Sequence, residues 1–536
     1  MEHLSNTPPF SPNEPSPLDP DLPPQIGPTR TRRILTDTAH YFLSLLGARV
    51  ALFAGGIVVA RVLGPADYGL WRALGLLAAY SIYASLGTIS ALNREVPYWL
   101  AKGDLAQAQR IRDVVGGTML VTSGLFAVGV LIASFVSRPW LSPLMIHSLR
   151  LVALLMLAQH AYRYFETLFR TTHDFTTVWR LRLLSTILDV GLAVILIFPW
   201  HLYGRIVAQI LAYGSIVAVL LWRRPFPLRP TLSWTESRAL VGIGIPLMTA
   251  SFLTSILITI DSLMVLKVLG RTALGYYSVG VLVFSALLIV PTVVNEILYP
   301  RFAERFGETD SPLALRAYVL APTLLLAWGF PLVIGAAYLV LPPTVAWALP
   351  VFTPGVKAAR LLLLGAFFLT LCGGPGHFLN TTGRQAHFMV TQGAGLIVAA
   401  CLNALALALG WGIEGVALAT TTTYLLLFFA LLSYVYISHF GTARQCGRFL
   451  IQVTVPFLLM GLMITLLDVV LPSPPVAALR PVIAASVKGV LFLSAFGFLV
   501  LRMARGNREV QTLAQAVGDL PVLGRLLNHL AFGGSK

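Results

Sequence analysis

The decapeptide VLGPADYGLW (Val62–Trp71) lies between two long apolar runs, and a near-echo, VLGRTALGYY (Val268–Tyr277), lies between two others. Both keep Val-Leu-Gly, a second glycine five positions on, and aromatic residues at the close. Gly64 and Gly270 permit a sharp exit from a helix, Pro65 suits the start of a turn, and the aromatics re-enter at headgroup depth. Read alone, such a corner is architecture rather than a site. Read with its echo, it points to a duplicated chain.

Further matches recur at a shift near 210 residues: SLRLVALLM, containing Arg150, parallels AARLLLLGA, containing Arg360, and Thr171-Thr172 parallels Thr381-Thr382. A weaker one pairs YGRIVAQ from Tyr203 with EGVALAT from Glu414. Six helices between equivalent corners put both on one side of a membrane. The two halves are therefore expected to be related by an axis along the membrane normal, with a cavity on that axis.

The membrane itself follows from composition. The 536 residues are 57% hydrophobic and only 11% charged, far more apolar than a soluble globule. Crossing the hydrocarbon core takes about 20 mostly apolar residues. That ruler finds about fourteen segments, centred near Ala51, Ala79, Leu125, Leu157, Leu192, Ile216, Leu253, Leu287, Leu326, Phe368, Val398, Leu425, Leu459 and Leu493. Connections stay below about 20 residues, which leaves little room for a folded domain outside the bilayer. The expected fold is an all-α polytopic membrane protein of two six-helix pseudo-repeats plus a C-terminal helix pair. Its expected divisions are a Pro-rich disordered tail (1–34), an N-terminal bundle (35–225), a C-terminal bundle (226–440), the extra pair (441–505) and an amphipathic tail (506–536).

A net charge of +16 does not imply nucleic acid, because Lys and Arg are scattered through short connections instead of clustered on one solvated face. Arg30, Arg32, Arg33, Arg94, Arg110, Arg170, Arg182, Arg223, Arg224, Arg229, Arg301, Arg384 and Arg444 fall in one set of connections. The alternate set carries few, among them Arg61, Arg72 and Arg205. By the positive-inside rule both termini are expected in the cytoplasm and the protein in the cell (inner) membrane. The three cysteines, Cys372, Cys401 and Cys446, show no pairing or metal spacing, so neither cofactor nor metal is expected.

The runs ARVLGPADYGLWRALG (60–75), GIGIPLM (242–248), DSLMVLKVLGRTALGYYS (261–278) and LYPRFAERFGE (298–308) resemble the Wzx-like polysaccharide flippases of the multidrug/oligosaccharidyl-lipid/polysaccharide exporter superfamily. The resemblance spans roughly residues 35–505 and rests on the order and spacing of these runs. It implies two six-helix bundles facing a cavity and alternating access. The implied substrate is an undecaprenyl-diphosphate-linked oligosaccharide, moved from the cytoplasmic to the outer leaflet for polysaccharide biosynthesis. Polymerase and glycosyltransferase partners, membrane lipids and a coupling proton or sodium ion belong to the same expectation.

Such cargo needs cations inside the bundle, and an ionisable group in a membrane helix is costly enough to be a candidate by default. Arg49, in the first segment, has the planar fork that suits phosphate oxygens, or else pairs with a carboxylate. Arg150 and Arg360, equivalent by the repeat, either mark the outer interface or hold a departing diphosphate. Arg94 either attracts the diphosphate on arrival or reflects positive-inside bias. For ion coupling the candidates are Asp261 first, then Glu296 and Asp189. Asp468 and Lys488 read as a structural pair. Tyr80, Tyr83, Tyr162 and Tyr424 read first as packing and second as sugar-stacking rings.

The only Asp-x-Asp, Asp19-Pro20-Asp21, lies in the N-terminal tail, and no HExxH, nucleotide-binding glycine loop or nucleophile elbow occurs, so an enzyme is not expected. A lipid II flippase is the nearer alternative within the superfamily. A multidrug or cation antiporter is the further one, since it would be expected to have twelve helices and an anionic cavity.

Overall fold

The computed structural model describes residues 28–471 and 480–506, and among these every regular element is helical. In chain order the α-helices are α1 (Pro28–Ser81), α2 (Thr88–Ala101), α3 (Leu105–Val136), α4 (Pro143–Thr171), α5 (Phe175–Arg223), α6 (Trp234–Leu287) and α7 (Ile289–Thr309). Then follow α8 (Arg316–Ala348), α9 (Val356–Leu371), α10 (Gly373–Thr381), α11 (Gln385–Ala408), α12 (Gly412–His439), α13 (Ala443–Val470) and α14 (Arg480–Gly506). Helices dominate because oil offers the backbone no partners, so every N–H and C=O must bond within its own segment.

Among the described residues ten helical stretches are long and apolar enough to cross a membrane, and three of them are bent back on themselves. α1 breaks at Gly64 (φ 68°, ψ 174°) and α6 at Gly270 (φ 85°, ψ −179°), the first glycines of the two echoed corners in one shared conformation. α5 breaks at His201, two residues after Pro199. Each break makes a hairpin. Asp261 and Tyr277 are sixteen residues apart and hydrogen-bond at 2.6 Å, whereas a straight helix would hold them about 24 Å apart. With these bends counted, and with α2, α7 and α10 completing rods begun by α1, α6 and α9, the described residues form fourteen rods. Each of the fourteen apolar centres read from the sequence falls in a different one.

Short polar turns join the rods on the arginine-rich face. Asp104 and Asp174 cap α3 and α5, accepting from the backbone N–H of Gln107 (2.8 Å) and Thr177 (3.0 Å); such caps are each worth about 1 kcal/mol. The repeat shows at this face too. α4 ends at Thr171 and α10 at Thr381, the paired threonines of the sequence match. The GGPGH run breaks a rod as its composition suggests, at Cys372 between α9 and α10.

α1, α3, α4 and α5 pack on one another, as do α6, α8, α9, α11 and α12, and the two groups meet chiefly along α1 and α2 against α6. The second glycines of the corners explain why the motif is written twice. A Cβ on Gly69 would collide with the Arg271 carbonyl oxygen, and one on Gly275 with that of Pro65. Residues 65 and 69 correspond to 271 and 275, so the contact is self-complementary, as an isologous interface is. The corners close the seam by touching backbone to backbone.

α13 and α14 lie against α8. Phe492 and Phe496 stack at 5.2 Å, and the Phe492 ring fills the space left by Gly335. Lys488 Nζ meets Asp468 Oδ1 at 2.9 Å, the pair read from sequence. The N-terminal tail and the C-terminal amphipathic segment lie outside the described residues.

Candidate functional site

The stretch of α6 from Phe252 to Asp261 has two working faces. On one, Phe252, Ser255 and Thr259 meet the first helix group. Tyr83 donates to Ser255 Oγ at 2.6 Å, Tyr80 and Thr259 share a hydrogen bond, and the Tyr83 ring sits edge-on to Phe252 at 4.8 Å. Both tyrosines remain partly exposed. Further along the same seam, Gly87 and Gly244 touch backbone to backbone.

Asp261 lies nine residues after Phe252, which at 100° per residue puts it on the opposite face. It is 3% exposed, and the side chains that hydrogen-bond to it come from the second group. Tyr277 donates to its Oδ2 at 2.6 Å, Thr420 to the same oxygen at 3.4 Å, and the Ser262 N–H to Oδ1 at 2.5 Å. Among the described residues no Lys, Arg or His meets this carboxylate. A charge so placed is expensive unless neutralised, so the pocket suits a carboxyl that takes up a proton or a small cation. α11, packed against both α6 and α12, buries Asn403 completely with neither end of its amide bonded.

Asp189 is arranged differently. Arg205 grips it through two hydrogen bonds, Nη1 to Oδ1 at 2.7 Å and Nη2 to Oδ2 at 3.1 Å, and both side chains are buried. The guanidinium also lies 4.9 Å from the ring centroid of Trp71, the closing aromatic of the first corner. Arg205, counted by sequence among the connections, is an internal residue just past the His201 bend. Its signal was present in PWHLYGR: an arginine four residues after a proline-marked reversal can reach back to the rod before it.

The remaining candidates are spread out. Arg150 stacks on Phe135 and donates to Ser134 Oγ (3.4 Å); Arg360 stacks on Tyr338 and donates to its carbonyl (3.2 Å). The repeat thus reproduces an arginine–aromatic contact with the preceding rod, and each arginine has its own partners. Arg94 is largely exposed and lies 3.6 Å from Glu95. Arg49 and Glu296 stand on the helical backbone of α1 and α7, and their side chains lie outside the described residues. Of the aromatic candidates, Tyr80 and Tyr83 clasp the seam, Tyr162 approaches Ser185 (3.4 Å) and Tyr424 stacks on Phe284. Sequence reasoning missed Glu166, held by Arg182 at 2.6 Å and Arg170 at 3.1 Å near the arginine-rich face.

Solved structures share this architecture. The lipid II flippase MurJ in an inward closed conformation aligns with a TM-score of 0.57 at 12% identity, over 87% of this chain and 99% of its own. A mutant of the Vibrio cholerae MATE transporter VcmN aligns at 0.56 and 15% identity, over 76% and 98%. A MOP superfamily transporter from Pyrococcus furiosus, described as having a binding pocket of reversed polarity, aligns at 0.56 and 13%, over 75% and 95%. At these identities the likeness establishes the fold. No curated protein matches the chain. A family model described as "Polysaccharide biosynthesis protein" matches residues 58–349, from the first corner through α8 and more than half of the sequence. This multi-pass membrane protein, built on the fold of the MOP transporters, belongs to the polysaccharide biosynthesis protein family.

Proposed function

We propose that the protein is a flippase that carries a polyprenyl-diphosphate-linked oligosaccharide from the cytoplasmic to the outer leaflet by alternating access, driven by a proton or sodium gradient. The observation that carries the reading is the two-faced stretch of α6. A carboxyl held only by hydroxyl and amide donors sits on one face, and the seam between the helix groups lies on the other. Neutralising Asp261 removes the cost of an unpaired buried charge, and the same rigid turn of helix moves Ser255 and Thr259 against Tyr80 and Tyr83. An ion bound on one side therefore biases which way the seam opens, through its differential affinity for the two states.

The corners form the outer closure in this reading, with both termini in the cytoplasm. Tyr80 and Tyr83, partly exposed on the seam, present ring faces for sugar units once the clasp parts. Arg49, in the first rod, is assigned the diphosphate, and Arg94 its approach; Arg150 and Arg360 brace the rods they stack on. Asp189 is committed to Arg205, which leaves Asp261 as the coupling carboxylate and Glu296 as the second candidate. Glycosyltransferases that build the cargo and a polymerase that consumes it are the implied partners.

The test is headgroup accessibility of a defined lipid-linked oligosaccharide in proteoliposomes, with and without an imposed gradient. Gradient-dependent appearance of the glycan on the far side supports the reading. Transport of lipid II with no transport of the oligosaccharide would reassign the cargo, and transport of neither would end the proposal.

A further inference from the structure

The segment that joins α5 to α6 (residues 224–233) is the sole covalent link between the two helix groups, and it borders a cleft of about 770 Å3. Phe165 of α4 and Leu220 of α5 make its apolar floor, Phe226 adds a ring, and Arg224 and Arg229 stand at its rim. The volume falls within the range of small-molecule sites, about 300–1,000 Å3.

The cleft is held in shape without a ligand. Pro225, Pro227 and Pro230 fix φ along the link. Asp113 of α3 accepts the Arg229 N–H at 2.8 Å on Oδ1 and the Thr231 N–H at 3.0 Å on its carbonyl. Gln109 donates to the Pro227 carbonyl at 2.9 Å. Phe226 is set between Phe169, at 5.0 Å, and the Arg112 guanidinium, at 5.6 Å.

The charge around it is unbalanced. Among the described residues neither Arg224 nor Arg229 meets a carboxylate through its side chain, and the Nε of nearly buried Arg112 has no hydrogen-bond partner. Asp113, the nearby carboxylate, already accepts from Gln109 and Arg229 on Oδ1. Trp222 (82% exposed) and Trp234 (81%) flank the link, the position of indoles at headgroup depth. Two guanidiniums above an apolar floor at that depth fit a phosphate attached to acyl chains.

We propose that this cleft binds an acidic phospholipid, its phosphate between Arg224 and Arg229 and its upper acyl segment against Phe165, Leu220 and Phe226. The cleft is lined by α4, α5 and the link, with no residue of the seam. The occupant is therefore a lipid of the surrounding leaflet and not cargo in transit. By bridging the link to α4 and α5 it braces one end of the hinge between the groups.

Native mass spectrometry of the purified full-length protein, titrated with phosphatidylglycerol or phosphatidylcholine, tests the site. Wild type should hold one phosphatidylglycerol at least tenfold more tightly than the Arg224→Gln/Arg229→Gln variant, while Arg223→Gln should match wild type. Photoreactive phosphatidylglycerol should label residues 220–229 of the unaltered chain, which tests the site without any variant. Equal retention by the double variant, or labelling elsewhere, overturns the proposal. Displacement by inorganic phosphate alone would make it a free-anion site, and preferential displacement by polyprenyl diphosphate would make it a cargo site; either overturns the assignment to a leaflet phospholipid. Transport failing while this lipid still binds would count against the flippase reading and leave the cleft standing.

Discussion

Gly69 and Gly275 lie back to back across the seam, each without room for a methyl group because the opposite corner's carbonyl occupies its place. Backbone is the opposing surface, so a side chain there cannot be accommodated by a rotamer change. Gly69→Ala and Gly275→Ala should each hold the corners apart. Cysteines placed near the corners should become reactive to membrane-impermeant reagents, and transport should fall at least tenfold with membrane insertion unchanged. Wild-type reactivity in both variants would mean that the corners separate freely.

Asp261→Asn imitates the neutral carboxyl and should uncouple the cycle. Gradient-driven transport in proteoliposomes should fall at least tenfold, while any exchange without a gradient persists. Tyr277→Phe removes the 2.6 Å donor and should shift the pH or sodium dependence rather than abolish it. Unaltered gradient dependence in Asp261→Asn would exclude this residue.

The Asp189–Arg205 pair behaves as a structural unit. Removing one partner strands a buried charge, at a cost of about 3–5 kcal/mol, whereas replacing both by apolar residues is often near neutral. Arg205→Ala should therefore lower the unfolding temperature in detergent sharply, and Asp189→Leu with Arg205→Met should recover most of it. A double variant as unstable as the single one would show that the pair is needed for more than mutual neutralisation.

Tyr83→Phe deletes one seam hydrogen bond, worth about 1 kcal/mol, which shifts a two-state equilibrium about fivefold. Distance measurements between spin labels on α2 and α6 should show the open population rising by that order. An unchanged distribution would indicate that the clasp forms in both states.

Arg49→Ala should abolish export with the protein still inserted, and Arg49→Lys should retain part of it, since the charge survives and the fork does not. Wild-type flipping by the alanine variant would reduce this arginine to packing.

The rods were legible because oil imposes one rule on each of them separately: enough apolar length. All fourteen centres follow from that, and so do the two echoed corners, whose glycines announce a backbone that other residues adopt with difficulty. The extra pair's Lys488–Asp468 bridge was legible for a similar reason, as two lone charges on neighbouring apolar rods have few other partners. Arg205 was misread because its position after a turn looks like a loop, and only the His201 reversal brings it to Asp189. The seam clasp was invisible because Tyr80 and Thr259 lie 179 residues apart, and no local pattern states which rods meet. For Asp261 the residue type and its rod were legible, while the hydroxyls that bond it come from α12 and from beyond the Gly270 bend.

The last two rods carry a mechanical consequence. Phe492 is keyed into α8 at Gly335, so α13 and α14 are bolted to the second helix group and share its position. Anything docked on this outrigger is thereby held in fixed register with α8 and has no direct hold on the first group.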